Sequence, residues 1–417
     1  MTEATSAAPA PDALAGVLAD APFVRLVATD DGDALAAAGL LARALRAAGT
    51  PFQVRVDRDP VPDDIADGIT VTVGVDRGAH AIPGTARPAS ADTFAVARQL
   101  GVDPDPVVAL AGVVAAGSVP GTDGSGDALD AAKEGGLVER RPGVAVPTAE
   151  TPEFADGLAA STLVRTPYSG VPEATRAALD DLGLPAEMDD DDHRRLASLV
   201  AVDVVDAADA TARSASAVER ALRPYATVGD AAPVETVGGY ADVLDTLARE
   251  APGTGIALAL DADPSDALQT AALDAWRAHG LAAHRALDAA TIGRYDGCVV
   301  ARVESPESAT DASGASRAVL PTVARLLRDF RSPEPVAVAV DESGGQLAAA
   351  ATESRGLGDA CRSVAAELHA DGWGTTDRGG IAVDNDSDSD VSDPDNGAET
   401  KSNADITSAL AALREAL

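Results

Sequence analysis

Apolar positions along the chain alternate between short β-type runs and stretches with helical spacing. Residues 23–28 form an apolar run that stops at Thr29-Asp30-Asp31-Gly32-Asp33. Leu35, Gly39, Leu40, Leu41 and Leu45 then recur at helical spacing until Gly49-Thr50-Pro51 closes the segment. A second strand is expected over 51–56, and a third, uncharged and β-branched, over 69–75, ending at Asp76. Strand, helix, strand repeats of this kind predict a parallel sheet. Ligands gather at the carboxyl ends of such strands, where loop groups and helix N-termini converge. Residues 106–117 read as a buried helix, and over 172–223 the spacing is helical, with Leu179, Leu182, Leu196, Leu199 and Val200 as core candidates.

The second half repeats the alternation. Strand-like runs at 255–260, 292–303 and 335–340 with helices between them predict a second α/β layer. A helix at 323–330, a strand at 336–341, a hairpin through Ser343-Gly344-Gly345 and a helix near 359–368 follow. Residues 384–401 are acidic and almost devoid of apolar groups, so disorder is expected there. Beyond them Ile406, Leu410, Leu413 and Leu417 share one helical face, which must dock either on this protein or on a partner. The expected organisation is a flexible tail over 1–20, a first α/β domain over 21–205 and connecting helices over 206–250. A second α/β region over 251–383, with a smaller domain from about 319, precedes the linker 384–401 and a helix at 402–417.

A length of 417 residues allows two or three domains with substantial cores. The formal charge of −35 comes from 67 acidic against 32 basic residues, and Lys133 and Lys401 are the only lysines. A surface solvated for molar salt is expected from this balance, with a dedicated contact for a basic partner as the alternative. Nucleic acid is not excluded, because the Debye length in molar salt is about 3 Å, although counterion release then drives binding little. No run approaches the roughly 20 apolar residues that span a bilayer, and the first residues lack a basic, signal-type pattern, so a cytoplasmic protein is expected. Cys298 and Cys361 are too few for a zinc site or disulfide framework and read as small buried residues. The run Asp189-Asp190-Asp191-Asp192 cannot turn all its carboxylates to one ion from a helix and reads as an N-terminal cap.

Residues 23–56 resemble the first motif of the DHH phosphoesterase superfamily, and of its archaeal RecJ-like members in particular. That motif runs His-x-Asp-x-Asp-Gly-Asp-Ala-Leu. Asp31-Gly32-Asp33-Ala34-Leu35 reproduces its second half, while Val27 and Thr29 stand where the histidine and first aspartate belong. Residues 106–117 resemble the family's Leu-Ala-Gly helix, with Ala115 and Ala116 near the place of a metal-binding aspartate. Arg140-Arg141-Pro142-Gly143, Leu158-Ala159-Ala160-Ser161-Thr162-Leu163, Pro167-Tyr168-Ser169-Gly170 and residues 239–248 continue the likeness. Residues 322–383 resemble the DHHA1-type substrate domain, whose Gly-Gly-Gly-His segment holds phosphate.

The resemblance implies a parallel-sheet DHH-type domain and a second α/β DHHA1-type domain across a cleft for single-stranded nucleic acid. Active relatives use two metal ions held by histidines and aspartates to activate water. Asp31, Asp33 and Asp76 remain here as vestigial candidates, so no metal cofactor is expected, and Mn or Mg is required only if the chain is an active exonuclease. Candidate nucleic-acid contacts are Trp373, Gly374, Arg378, Gly379 and Gly380, with Arg378 for phosphate and Trp373 for a base, or else a glycine-rich turn with a packed tryptophan. Asp33 is expected to cap the helix that it opens. The function implied is a catalytically degenerate component of DNA replication or repair that guides single-stranded DNA or serves as a structural replisome part joined to GINS and the minichromosome-maintenance helicase. An active single-strand exonuclease and a small-nucleotide phosphodiesterase are the alternatives.

Overall fold

A computed structural model of the chain describes residues 11–62, 67–148, 151–185, 187–229, 232–261, 263–304, 312–383 and 405–417. The expected acidic linker lies outside them. Two units emerge, Met1–Ala208 with Ser214–Ala282, and Asp209–Arg213 with Ala283–Leu417.

In the first unit, α1 (Pro11–Asp20) is not part of a tail: Leu14, Ala15 and Leu18 are buried in the same core as the strands that follow. Next come β1 (Val24–Ala28), α2 (Gly32–Ala48), β2 (Phe52–Val56), β3 (Ile69–Val73) and β4 (Ala81–Ile82). The strands form one parallel sheet in the order β2-β1-β3-β4, with Val24 of β1 level with Phe52 and with Ile69. Helix α2 is buried from Gly32 to Ala42 on every side, as a helix rich in small apolar residues all round must be.

Around it lie α3 (Ala89–Gln99) and α4 (Pro106–Ala115), followed by α5 (Gly126–Glu134), β5 (Val138–Arg140), α6 (Thr151–Ala160), α7 (Pro172–Asp180), α8 (Asp190–Val205), α9 (Ala212–Ala221) and β6 (Tyr225–Thr227). Strands β5 and β6 form a separate antiparallel ribbon. The aspartate run is the cap expected of it: Asp189 accepts from the amides of Asp191 and Asp192 in a capping box. Then α10 (Val237–Glu250) and α11 (Pro252–Leu260) pack on α2. The run at 255–260 is therefore helix and not strand. A short apolar run fits either state, and Pro252 at the first turn followed by alanine and leucine decides for helix.

Helix α12 (Asp266–Ala289) contains the boundary between the units, so residues 251–282, expected in the second region, group with the first. Asp242 is the reason: its buried carboxylate accepts from Trp276 Nε1 at 3.0 Å, Thr162 N at 2.9 Å and Ser161 Oγ at 3.2 Å, tying α12 and α10 to the end of α6.

The second unit holds β7 (Thr291–Tyr295), β8 (Cys298–Arg302), α13 (Ala312–Leu326) with a π-helical turn over Leu327–Arg331, β9 (Val336–Asp341), β10 (Gln346–Ala351), α14 (Leu357–Leu368), β11 (Asp371–Gly374), β12 (Arg378–Ala382) and α15 (Ile406–Ala416). The run at 292–303 is thus a hairpin, turning at Gly297. The sheet order is β11-β12-β10-β9-β8-β7, with β8 and β9 parallel and the other pairs antiparallel. Every position of β9 and β10 is buried, because α13 covers one face while α14 and α15 cover the other. Ile406, Leu410 and Leu413 of α15 lie in that core, and Arg414 stands 3.6 Å over the Tyr295 ring. The C-terminal helix docks on its own unit. Arg213 fastens the 209–213 segment there by donating to the carbonyls of Ser332 at 3.0 Å and Pro333 at 2.9 Å.

Candidate functional site at the carboxyl end of the first sheet

β1 delivers Thr29 and Asp31 to the start of α2, both 4% exposed. Asp31 is the N-cap of α2: its Oδ1 accepts from Ala34 N at 3.0 Å, and its Oδ2 accepts from the Thr29 hydroxyl. Thr29 thus binds the carboxylate in the place where the family motif has another.

Asp33 does not cap its own helix. It reaches to α3, where its Oδ2 accepts from Ala89 N at 2.6 Å and its Oδ1 from Ser90 N at 2.9 Å and Ser90 Oγ at 2.6 Å. Pro88, at the cap position of α3, has no side-chain donor or acceptor to offer, so Asp33 satisfies those amides from another helix. Burial and the charge of Asp31 push the Asp33 carboxyl up to about 7, against the hydrogen bonds from Ser90 and Ala89 that pull it down.

Gly32 N–H donates to Asp245 Oδ1 of α10 at 3.1 Å. Arg249, one turn on, holds that carboxylate through both oxygens, Nη1 to Oδ2 at 2.8 Å and Nη2 to Oδ1 at 3.0 Å. The two side chains are 8% and 15% exposed. A Cβ at Gly32 would come within 2.8 Å of both Ala115 Cβ and Asp245 N, so only glycine lets α4 and α10 close on this turn. Ala115 therefore does stand over the strand-end turn, but with a methyl group. The other carboxylates of this edge also face arginines, Asp30 with Arg58 at 3.4 Å and Asp59 with Arg77 at 2.9 Å.

Asp76 is exposed in the loop after β3, and Val27 is fully buried in the sheet. Among the described residues no three His, Cys, Asp or Glu side chains converge as metal ligands do. The donors present do not fit a two-metal centre: Asp31 and Asp33 each accept amides and hydroxyls with both oxygens, and the guanidinium beside Gly32 repels a cation.

In the second unit the five candidate contacts form a hairpin. Trp373 and Gly374 of β11 pair with Gly380 and Gly379 of β12, next to Arg378. The Trp373 indole lies on Gly380, where a Cβ would meet its Cζ2 at 2.5 Å. The first amides of α14 donate to the connecting turn, Gly358 N to Thr375 O at 2.7 Å and Leu357 N to Thr376 O at 3.2 Å. Sequence reasoning passed over Ser90, Asp242 and the Asp245–Arg249 pair. The i, i+4 spacing of the last was visible, but not what it would face.

A family model described as "Uncharacterized protein rrnAC1427, C-terminal domain" matches residues 290–415. Over 382 residues the chain is 45% identical to "Uncharacterized protein rrnAC1427" of Haloarcula marismortui, covering 90% of this chain and 92% of that protein. The chain belongs to the rrnAC1427 family. Among solved structures, the rrnAC1427-family chain is similar to CDC45 from Entamoeba histolytica, with a TM-score of 0.54 at 9% identity over 89% of this chain and 94% of that one. It is also similar to RecJ from Thermus thermophilus, solved in complex with Mg2+, at a TM-score of 0.44 and 16% identity over 92% of this chain; it spans about half of that protein, 51%. The likeness to CDC45 is one of fold.

Proposed function

We propose that this rrnAC1427-family protein is a catalytically silent RecJ-like component of DNA replication or repair, one that guides single-stranded DNA. The observation that carries the reading is the use of the strand-end carboxylates in the fold. Asp31 holds the start of α2, Asp33 holds the start of α3, and Asp245 takes the Gly32 amide under the guanidinium of Arg249. Metal-assisted hydrolysis needs carboxylate oxygens free to bind the ions that activate water. The fold likeness to CDC45 supports placing the chain with RecJ-like proteins, and GINS and the minichromosome-maintenance helicase are the partners this reading proposes.

The test is a manganese-dependent nuclease assay on labelled single-stranded DNA in molar KCl, beside a pull-down from the source cells in the same salt. Intact DNA together with captured replication proteins is expected. Degradation that disappears in Asp31→Ala would establish the exonuclease instead. Calorimetric titration with Mn2+ is expected to show no tight site, and two tight sites lost on Asp31→Ala and Asp76→Ala would overturn the reading.

A further inference from the structure

Arg140-Arg141-Pro142-Gly143 takes no part in the strand-end site, and the β5/β6 ribbon gives it a setting of its own. Arg140 lies opposite Tyr225 in the ribbon. Arg141 N–H donates to Pro224 O at 3.2 Å, and Arg223 N–H donates to Gly143 O at 3.0 Å. Arg223 is held at a φ of 51°, a conformation uncommon for a residue with a side chain. Lys133, in the last turn of α5, brings its Nζ to 5.8 Å from the centre of the Tyr225 ring, and the Arg140 guanidinium stands 5.0 Å from it.

Two cations thus share the Tyr225 ring, with Arg141 and Arg223 next to the strand ends, in a chain with 67 acidic and 32 basic residues. Elsewhere the arginines of this unit mostly sit on carboxylates. Among the described residues no carboxylate lies within 4.0 Å of Lys133, Arg140, Arg141 or Arg223, and none of their side chains donates a hydrogen bond. Lys133, Arg140 and Arg223 are exposed. The acids of the segment itself are Glu134 and Glu139, and Glu139 leaves the strand on the face opposite to Arg140. The Tyr225 ring steadies the Arg140 guanidinium through its face, a contact that uses none of the N–H groups and leaves the planar fork for an anion. Cations spread over two strands and a helix end suit successive charges along a chain better than one small ion.

We propose that this ribbon grips the phosphate backbone of single-stranded nucleic acid, with Arg140 as the fork and Lys133 and Arg223 as flanking charges. The inference rests on the reading that the protein guides single-stranded DNA and adds the residues that hold it.

Fluorescence anisotropy of a labelled oligothymidylate with the full chain, titrated across KCl concentrations that keep it folded, tests this. Arg140→Gln with Arg223→Gln is expected to weaken binding at least about tenfold and to lower the salt slope by about one for each cation removed. Arg46→Gln and Arg294→Gln, exposed arginines elsewhere, are expected to bind like the parent. Arg140→Lys, which keeps the charge and loses the fork, is expected to fall between, and it serves if the glutamine variant folds poorly. Parent-like binding by the double variant would overturn the ribbon while leaving the DNA-guiding reading intact. A parent protein that binds no oligothymidylate at any of these salt concentrations would overturn both. Binding of polyglutamate with the same arginine dependence, and not of oligothymidylate, would assign the ribbon to an acidic protein and overturn the proposal.

Discussion

Asp33 occupies a position where a carboxylate is costly, 6% exposed beside another aspartate. Its folded value near 7 lies above the unfolded value of about 3.9. Between those values the folded chain binds more protons than the unfolded one, so the stability that Asp33 permits is greatest in acid and falls as pH rises through about 7. The shift corresponds to about 4 kcal/mol at most. The melting temperature is expected to fall from pH 5 to pH 8 in the parent and clearly less in Asp33→Asn, and equal slopes would refute the burial of a titrating carboxyl. Asp33→Ala, which strips the α3 amides of their acceptor, is expected to cost about 1 to 2 kcal/mol in denaturant titration at pH 5. The Asp-Gly-Asp spelling was legible as a motif. What each carboxylate holds was not, because the partners of Asp33 lie 56 and 57 residues away.

Between elements, the tie of α10 to the turn before α2 depends on the Asp245–Arg249 pair, and buried pairs fail when one member is removed. Arg249→Met takes the guanidinium away from the largely buried Asp245 charge and is expected to destabilise by about 3 to 5 kcal/mol. Asp245→Asn added to Arg249→Met removes the stranded charge and is expected to recover part of that loss. A double variant no more stable than the single one would show that the charge is not what is being compensated. For α15, deletion of 402–417 is expected to lower the melting temperature, since Ile406, Leu410 and Leu413 each bury about 1.5 to 3 kcal/mol of apolar surface. An unchanged melting curve would mean that the helix is no part of the core. Its amphipathic face was legible in the sequence, whereas its receptor, Leu347, Ile381 and the flank of α14, exists only once the sheet has formed. The run at 255–260 misled for a related reason: its apolar letters fit a strand or a helix, and packing on α2 is a tertiary fact.

At the scale of the whole molecule, a charge of −35 acts on the folded state as self-repulsion. Two α/β units could be read from the alternation of strands and helices. The limit of the first could not, because α11 and most of α12 join it through α2 and through the Asp242–Trp276 bond. The charge, by contrast, is a property of composition alone, and its consequence follows without the fold. Lowering KCl from about 1 M to about 0.1 M lengthens the Debye screen from about 3 Å to about 10 Å, which lets exposed carboxylates on one face repel each other across gaps that molar salt closes. The melting temperature is therefore expected to fall as KCl is withdrawn. Salt also strengthens apolar burial, so the fall alone does not identify repulsion. Exposed Asp20, Asp130, Asp181 and Asp296 separate the two effects. Replacing all four with asparagine leaves the buried apolar surface unchanged and removes four negative charges, so the variant should lose less on salt withdrawal than the parent. Identical losses would assign the salt requirement to apolar burial and not to the acidic surface.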